Sequence, residues 1–163
     1  DRRKEALPYF EESLKLEQKF LGEQHQDTAY TYAAIASAHR GLGNLEEAME
    51  YAQRGHAIEE RILPPGASSL GPNHYNMGRI CLDMERFDEA LDQFKKAEAI
   101  FHANLGKLHR NTLRNNTYMG QAMIGCGLFD EARLLLERTL QAQRSGECPP
   151  HWLEETEAAL ART

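Results

Sequence analysis

The sequence predicts an all-α protein: a right-handed solenoid of antiparallel helix pairs stacked in a single array. Three observations carry that expectation. The pair Glu-Ala recurs at Glu5-Ala6, Glu47-Ala48, Glu89-Ala90 and Glu131-Ala132, and each step is 42 residues. Apolar residues inside each interval follow helical spacing, and no alternating, strand-like run occurs. Glycine-bearing turn signals, "GLGN" at 41–44 and "GCGL" at 125–128, divide the intervals in two. A fixed period of this length marks a repeat architecture, in which each unit buries its apolar face against its neighbours.

The elements follow in order. A lone second-type helix (B) is expected over 1–21, then helix pairs (A then B) over 27–63, 71–104 and 111–145, and a capping helix over 150–163. The opening "DRRKEALPYF" runs directly into helical pattern, so the chain reads as a piece of a longer protein with at least one helix A ahead of it. In the first pair Tyr32, Ile35, Ala36 and His39 form one apolar stripe, and Leu45, Ala48, Met49 and Ala52 form the other. Asn44 and Glu47 read as a capping box. Acids at 46–47, 88–89 and 130–131 occupy the first turn of each helix B, where the helix dipole favours them. Pro149-Pro150 stops the long helix before it, and Trp152 and Leu153 are expected to turn inward from the capping helix.

Small residues recur in register. Ala36, Gly78 and Gly120 on the A helices, with Ala48, Ala90 and Ala132 on the B helices, should let paired backbones approach closely. A third column on helix B, Ser13, Gly55, Ala97 and Thr139, is expected to receive the next unit. Glycine inside a helix costs about 1 kcal/mol relative to alanine, so close packing accounts for Gly55.

This pattern of small and large positions resembles the tetratricopeptide repeat, normally a helix pair of about 34 residues. The longer period and the linker "LG-x-x-H-x-x-T", carried by Leu21 to Thr28 and Leu105 to Thr112, resemble the variety found in kinesin light chains and in nephrocystin-like or signalling-ATPase arrays. The second linker, "LPPGASSLGP", departs from it by lacking the His-Thr pair. The resemblance implies a superhelix whose concave face, lined by A helices, holds peptides or partner segments.

Catalysis and metal binding find little support in the residues. His25, His109 and His151 share one column but lie in different linkers, with His25 and His109 two units apart, so they do not converge as ligands must. A hydrogen-bonding or packing role at the start of helix A follows instead. His39 shares a core column with Cys81 and Met123. The three cysteines form no CxxC pair, and no nucleophile elbow or phosphate-binding glycine loop is present. The reading is a non-enzyme without cofactor or metal. A net charge of −6 argues against nucleic acid or anionic lipid as partner. The cysteine usage points to a reducing, cytoplasmic setting.

What remains is binding. The register places Tyr30, Ala33, Ala34, Ser37 and Arg40 of the first pair in the groove, with Tyr75, Asn76 and Arg79 of the second. The third contributes Arg114, Thr117, Tyr118 and Gln121. Helix B carries most of the acids, whereas these groove positions contribute arginines and no acid, so an acidic peptide is the expected ligand. The lysine-asparagine clamp of two chaperone-adaptor families is not reproduced at the corresponding positions, which hold Ala33 and Ser37, Tyr75 and Arg79, and Arg114 and Tyr118. The expected role is a protein-interaction module in a larger intracellular scaffold, adaptor or sensor. The alternative is a structural or regulatory module acting by self-association or autoinhibition, with no peptide ligand.

Overall fold

The computed structural model describes residues 2–146 and 148–163. Among these residues the chain forms eight helices and no strand: α1 (Arg2–Phe20), α2 (Gln26–Leu42), α3 (Leu45–Ile62), α4 (Leu70–Asp83), α5 (Phe87–Leu105), α6 (Arg110–Gly125), α7 (Phe129–Ser145) and α8 (Pro150–Leu160). Each helix packs on the next along the chain. In addition α2 touches α4, α4 touches α6, and α6 touches α8, whereas α1, α3, α5 and α7 do not touch one another. The even-numbered helices therefore form the tighter, inner layer, and their outward side chains line a concave face.

Close approach within pairs is built on glycine. A Cβ at Gly78 would stand 2.7 Å from the Phe94 ring, and one at Gly120 would stand 2.6 Å from Leu136 Cδ2. Phe94 and Leu136 are themselves fully buried, so neither can step aside. Gly55 corrects the expectation for its column. Its missing Cβ faces Ala29 O at 2.9 Å and Tyr32 Cβ at 3.1 Å, on the helix A of its own pair rather than of the next unit.

The turns inside the pairs share one geometry. Gly43, Glu85 and Gly127 all adopt positive φ (84°, 59° and 77°). In each case the next residue donates its N–H back to the helix just ended, as in Asn44 to His39 O at 3.0 Å, Arg86 to Cys81 O at 2.9 Å and Leu128 to Met123 O at 2.9 Å. Glu85 thus holds a glycine position without being glycine. The expected capping box at Asn44 does not form. Its side chain makes no cap bond and lies 3.3 Å from His39 Nδ1 instead. His39 in turn stacks on Tyr51 with ring centroids 5.4 Å apart, at the rim of the core.

The linkers explain the recurring "LG-x-x-H-x-x-T". Gly22 and Gly106 take positive φ (91° and 88°), and their carbonyls accept hydrogen bonds from the hydroxyls of Thr28 (3.0 Å) and Thr112 (2.8 Å). His25 and His109 cap α2 and α6, each Nδ1 accepting a backbone N–H two residues on at 3.2 Å. The linker ahead of α4 is made differently. Gly66 has φ 78°, its carbonyl accepts from Asn104 Nδ2 at 3.2 Å, and Ser69 gives α4 no side-chain cap bond. Leu70 is buried where the other linkers have threonine.

A polar column ties odd-numbered helices to the even-numbered helix that follows. Glu17 accepts from Thr31 Oγ1 at 3.0 Å, Glu59 from Asn73 Nδ2 at 2.5 Å, and Gln143 Oε1 from Thr156 Oγ1 at 2.9 Å. Phe101 takes this place at the α5–α6 joint, where Asn115 Nδ2 donates to Phe94 O at 3.0 Å. Glu59 is fully buried, and one of its carboxylate oxygens has no partner. Burial holds its carboxyl above the usual range, against the opposing hydrogen bonds of Asn73 and Ser69. Cys81 is a buried thiol pushed up to about 11 by burial and by nearby Glu89, which keeps it protonated and unreactive at neutral pH.

Candidate functional site

Helical spacing decides which side chains face the groove. On α6, Arg110, Arg114, Tyr118 and Gln121 succeed one another along one stripe, and on α4 Pro72, Tyr75, Asn76 and Arg79 do the same. The inner-layer contacts α4–α6 and α6–α8 bring these stripes side by side. Between them opens a cleft of about 590 Å³ lined by Pro72, Tyr75, Asn76, Phe101, His109, Arg110, Asn111, Arg114 and Trp152.

Cations and aromatic rings alternate across this surface. The Arg79 guanidinium lies 4.8 Å from the Tyr118 ring and 5.6 Å from the Tyr75 ring, and its Nε is buried without a hydrogen-bond partner. Arg114 lies 4.9 Å from Tyr118 and 4.8 Å from Trp152, and Arg110 lies 5.3 Å from Trp152. Tyr75 and Tyr118 meet edge to face with centroids 5.8 Å apart. These contacts hold planar groups upright, so part of the ordering entropy of a binding surface is met before any ligand arrives.

Two arginines are already engaged by acids of this chain, which corrects the expectation of an acid-free lining. Arg40 Nε stands 2.7 Å from Asp83 at the end of α4. Arg114 grips Glu155 of α8 with both amino groups, at 2.5 and 3.2 Å, and also donates to Tyr118 OH at 2.7 Å. Burial is the largest single influence and works against its charge, but the bond to Glu155 together with the nearby Tyr118, Tyr75 and Glu155 groups outweighs it, so the arginine pKa stands above its ordinary value. Burial also raises the Tyr118 phenol, despite the Arg79 charge beside it.

The expected site residues divide into three groups. Tyr75, Asn76 and Arg114 line the cleft, and Arg79 and Tyr118 pack beside it against Tyr75 and Arg114. Gln121 follows on the same α6 stripe, half-buried. Tyr30 and Ser37 are exposed on α2, in the first unit and away from the cleft, and Tyr30 OH accepts from Gln26 Nε2 at 2.6 Å. Thr117 is a correction. Its side chain is fully buried, bonded to Thr156 Oγ1 at 2.8 Å and to Gln143 Nε2 at 3.3 Å, and so belongs to the α6–α7–α8 junction. Trp152 is another, since it borders the cleft between two arginines rather than turning into the core. Arg110 was legible in the sequence as the residue one turn before Arg114, and Trp152 lies one repeat period beyond it. Glu155 had no such signal.

Among the described residues no three His, Cys, Asp or Glu side chains gather to hold a metal ion. No helix among them is long and apolar enough to cross a membrane.

The tetratricopeptide repeat family model matches residues 1–61 and 71–145. The chain belongs to the tetratricopeptide repeat family. Its repeats generally mediate protein–protein interaction. Similar solved structures include a kinesin-light-chain-like protein of nearly identical TPR-like repeats from Podosopora anserina, at TM-score 0.81 and 22% identity over 98% of this chain and 76% of that one. BtubC (BKLC) from P. vanneervenii superposes at TM-score 0.85 and 18% identity, over 98% of this chain and 64% of that one. A TPR-like protein from Chlorobium tepidum gives TM-score 0.67 and 20% identity, over 82% and 90%. At these identities the likeness concerns the fold alone. No curated protein matches the chain.

Proposed function

We propose that this array binds a short acidic segment of a protein partner across Tyr75, Asn76, Arg79, Arg114, Tyr118 and Gln121, within a larger intracellular scaffold, adaptor or sensor. The observation that carries the reading is the alternation of guanidinium and aromatic groups around an open cleft on the inner face. Arginine can grip a carboxylate through two parallel hydrogen bonds, and Asn76 offers a donor and an acceptor to a peptide bond. Apolar rings beside them suit an aromatic or aliphatic anchor. Arg110 extends the surface, with no acidic partner within ion-pair distance among the described residues.

The test is a screen of acidic and basic peptide libraries against the parent and an Arg79→Glu/Arg110→Glu variant. Acidic peptides should be selected with dissociation constants on the order of micromolar, weakening as salt screens the charges. The double variant should lose binding while a melting curve shows that it stays folded; an acid at 110, in the first turn of α6, suits the helix dipole. Selection of basic peptides, or undiminished binding by the folded variant, moves the site off this face.

A second reading, self-association, has its own observation. Tyr9, Leu16 and Phe20 of α1 are 74%, 51% and 72% exposed. Their counterparts one period on include Tyr51, which packs on Tyr32 and His39, and Ile58, which is buried. Sedimentation of the parent against a Tyr9→Ser/Phe20→Ser variant separates the readings: a concentration-dependent dimer lost in the variant supports assembly.

A further inference from the structure

We infer that Glu155 is a specificity-determining residue of this groove: it occupies Arg114 as a built-in counter-ion and leaves Arg79 and Arg110 as the two receivers of ligand carboxylates. The inference rests on the acidic-segment reading above. Glu155 arrives from α8, the same helix that supplies Trp152 to the cleft wall. Its two oxygens lie 2.5 and 3.2 Å from the two amino groups of Arg114, the forked geometry in which arginine takes a free carboxylate. Tyr118 OH completes the set by donating to Glu155 at 3.3 Å while accepting from Arg114 at 2.7 Å.

The consequence is a change in what Arg114 can offer. Both of its amino groups are engaged by an internal acid and one of them also by a phenol, and its guanidinium lies 4.9 Å from the Tyr118 ring and 4.8 Å from the Trp152 ring. A second carboxylate approaching it meets a neutralised pair and the repulsion of Glu155. Arg79 is different. No acid lies within ion-pair distance of it among the described residues, and although its Nε is buried, its two amino groups make no hydrogen bond there. Arg110 is exposed at the first turn of α6, 5.3 Å from the Trp152 ring centroid. The groove thus selects a segment whose acids are spaced to bracket the Arg114–Glu155 pair, and it discriminates against a contiguous acidic run that would place a charge on top of it.

The experiment uses a fluorescein-labelled, end-blocked peptide library of Asp, Glu and Leu, read by anisotropy against the parent, Glu155→Gln, Glu155→Asp and the double variant Glu155→Gln/Arg114→Gln, with a melting curve for each. Releasing Arg114 should tighten binding of contiguously acidic peptides by about fivefold in Glu155→Gln and steepen the salt dependence. Glu155→Asp, which withdraws the carboxylate by one methylene, should give a smaller gain, and the double variant should lose the gain seen in Glu155→Gln. A purely structural role predicts lower melting temperature and weaker binding instead. If the parent binds and a normally melting Glu155→Gln or Glu155→Asp binds no tighter, the inference falls and the groove reading stands. If none of the four binds, the groove reading falls and takes the inference with it. Binding by Glu155→Gln alone supports the counter-ion role in its strongest form.

Discussion

The linkers ahead of α2 and α6 and the linker ahead of α4 deliver their helices to equivalent places by different chemistry. The outer two use a histidine cap and a threonine hydroxyl returned to a glycine carbonyl. The middle one has neither. It relies on buried Leu70, on Asn104 reaching back to Gly66, and on Gly71, where a Cβ would meet the Phe101 ring at 2.7 Å. The same column holds Ala29 and Leu113 in the other two units. Helix stacking is therefore specified by the packed faces, and the linker needs only to satisfy the backbone groups freed at a helix start.

The largest effect should come from filling the middle joint. Gly71→Leu forces a side chain into the Phe101 contact and should destabilise by about 3 kcal/mol, at the upper end of overpacking costs. Chemical denaturation measures it, and a loss under about 0.5 kcal/mol would show that the middle linker does not depend on close packing.

Next in size is Thr112→Val, which keeps the shape of a fully buried side chain and removes its bond to Gly106 O. The expected loss is about 1–2 kcal/mol. Leu70, the middle linker's residue in this column, has no hydroxyl to lose, so Leu70→Thr should not gain stability.

Glu59, at the same middle joint, should act with the opposite sign. Its folded carboxyl titrates above its unfolded one, so between those two values the native state holds a proton that the unfolded chain has released. Stability is then fully present below the unfolded pKa and falls as pH rises through the folded one. Glu59→Gln should raise stability at pH 7 by about 1 kcal/mol, and the advantage should shrink as acidification protonates the native Glu59 carboxyl. A variant less stable than the parent at pH 7 would show that the Asn73 bond requires the charge.

The smallest effect belongs to the histidine caps. His25→Gln and His109→Gln should each cost about 0.5–1 kcal/mol, with Asn recovering most of it. Metal analysis of the parent and the double glutamine variant should give the same background. Stoichiometric zinc in the parent alone would replace the capping role with a ligand role.

How much of this was legible follows from where the partners lie. Gly78 and Gly120 could be read as close contacts because both belong to one column, and a column exposes what every pair has in common. The histidine caps were visible for the same reason. Arg114–Glu155 and Arg40–Asp83 were hidden, because they join inner-layer neighbours about one period apart, and which rotamers meet there depends on superhelical twist rather than on helical spacing. Thr117 sits at a groove-facing register position, yet α8 covers it. Asn44 has the residue type for a cap, but its side chain is taken up by the neighbouring His39, a competition that a motif does not record.

The inner helices touch in succession whereas the outer helices do not, and this has a mechanical consequence. The array can flex about its inner seam as a book opens about its spine, with the outer layer splaying while the seam stays closed. Each helix grips only its near neighbours, so a load applied at the two ends is borne joint by joint and not by the whole core at once. Under tension the protein should lengthen in discrete steps, each the release of one helix pair, and a segment lying along the groove would act as a brace across those joints.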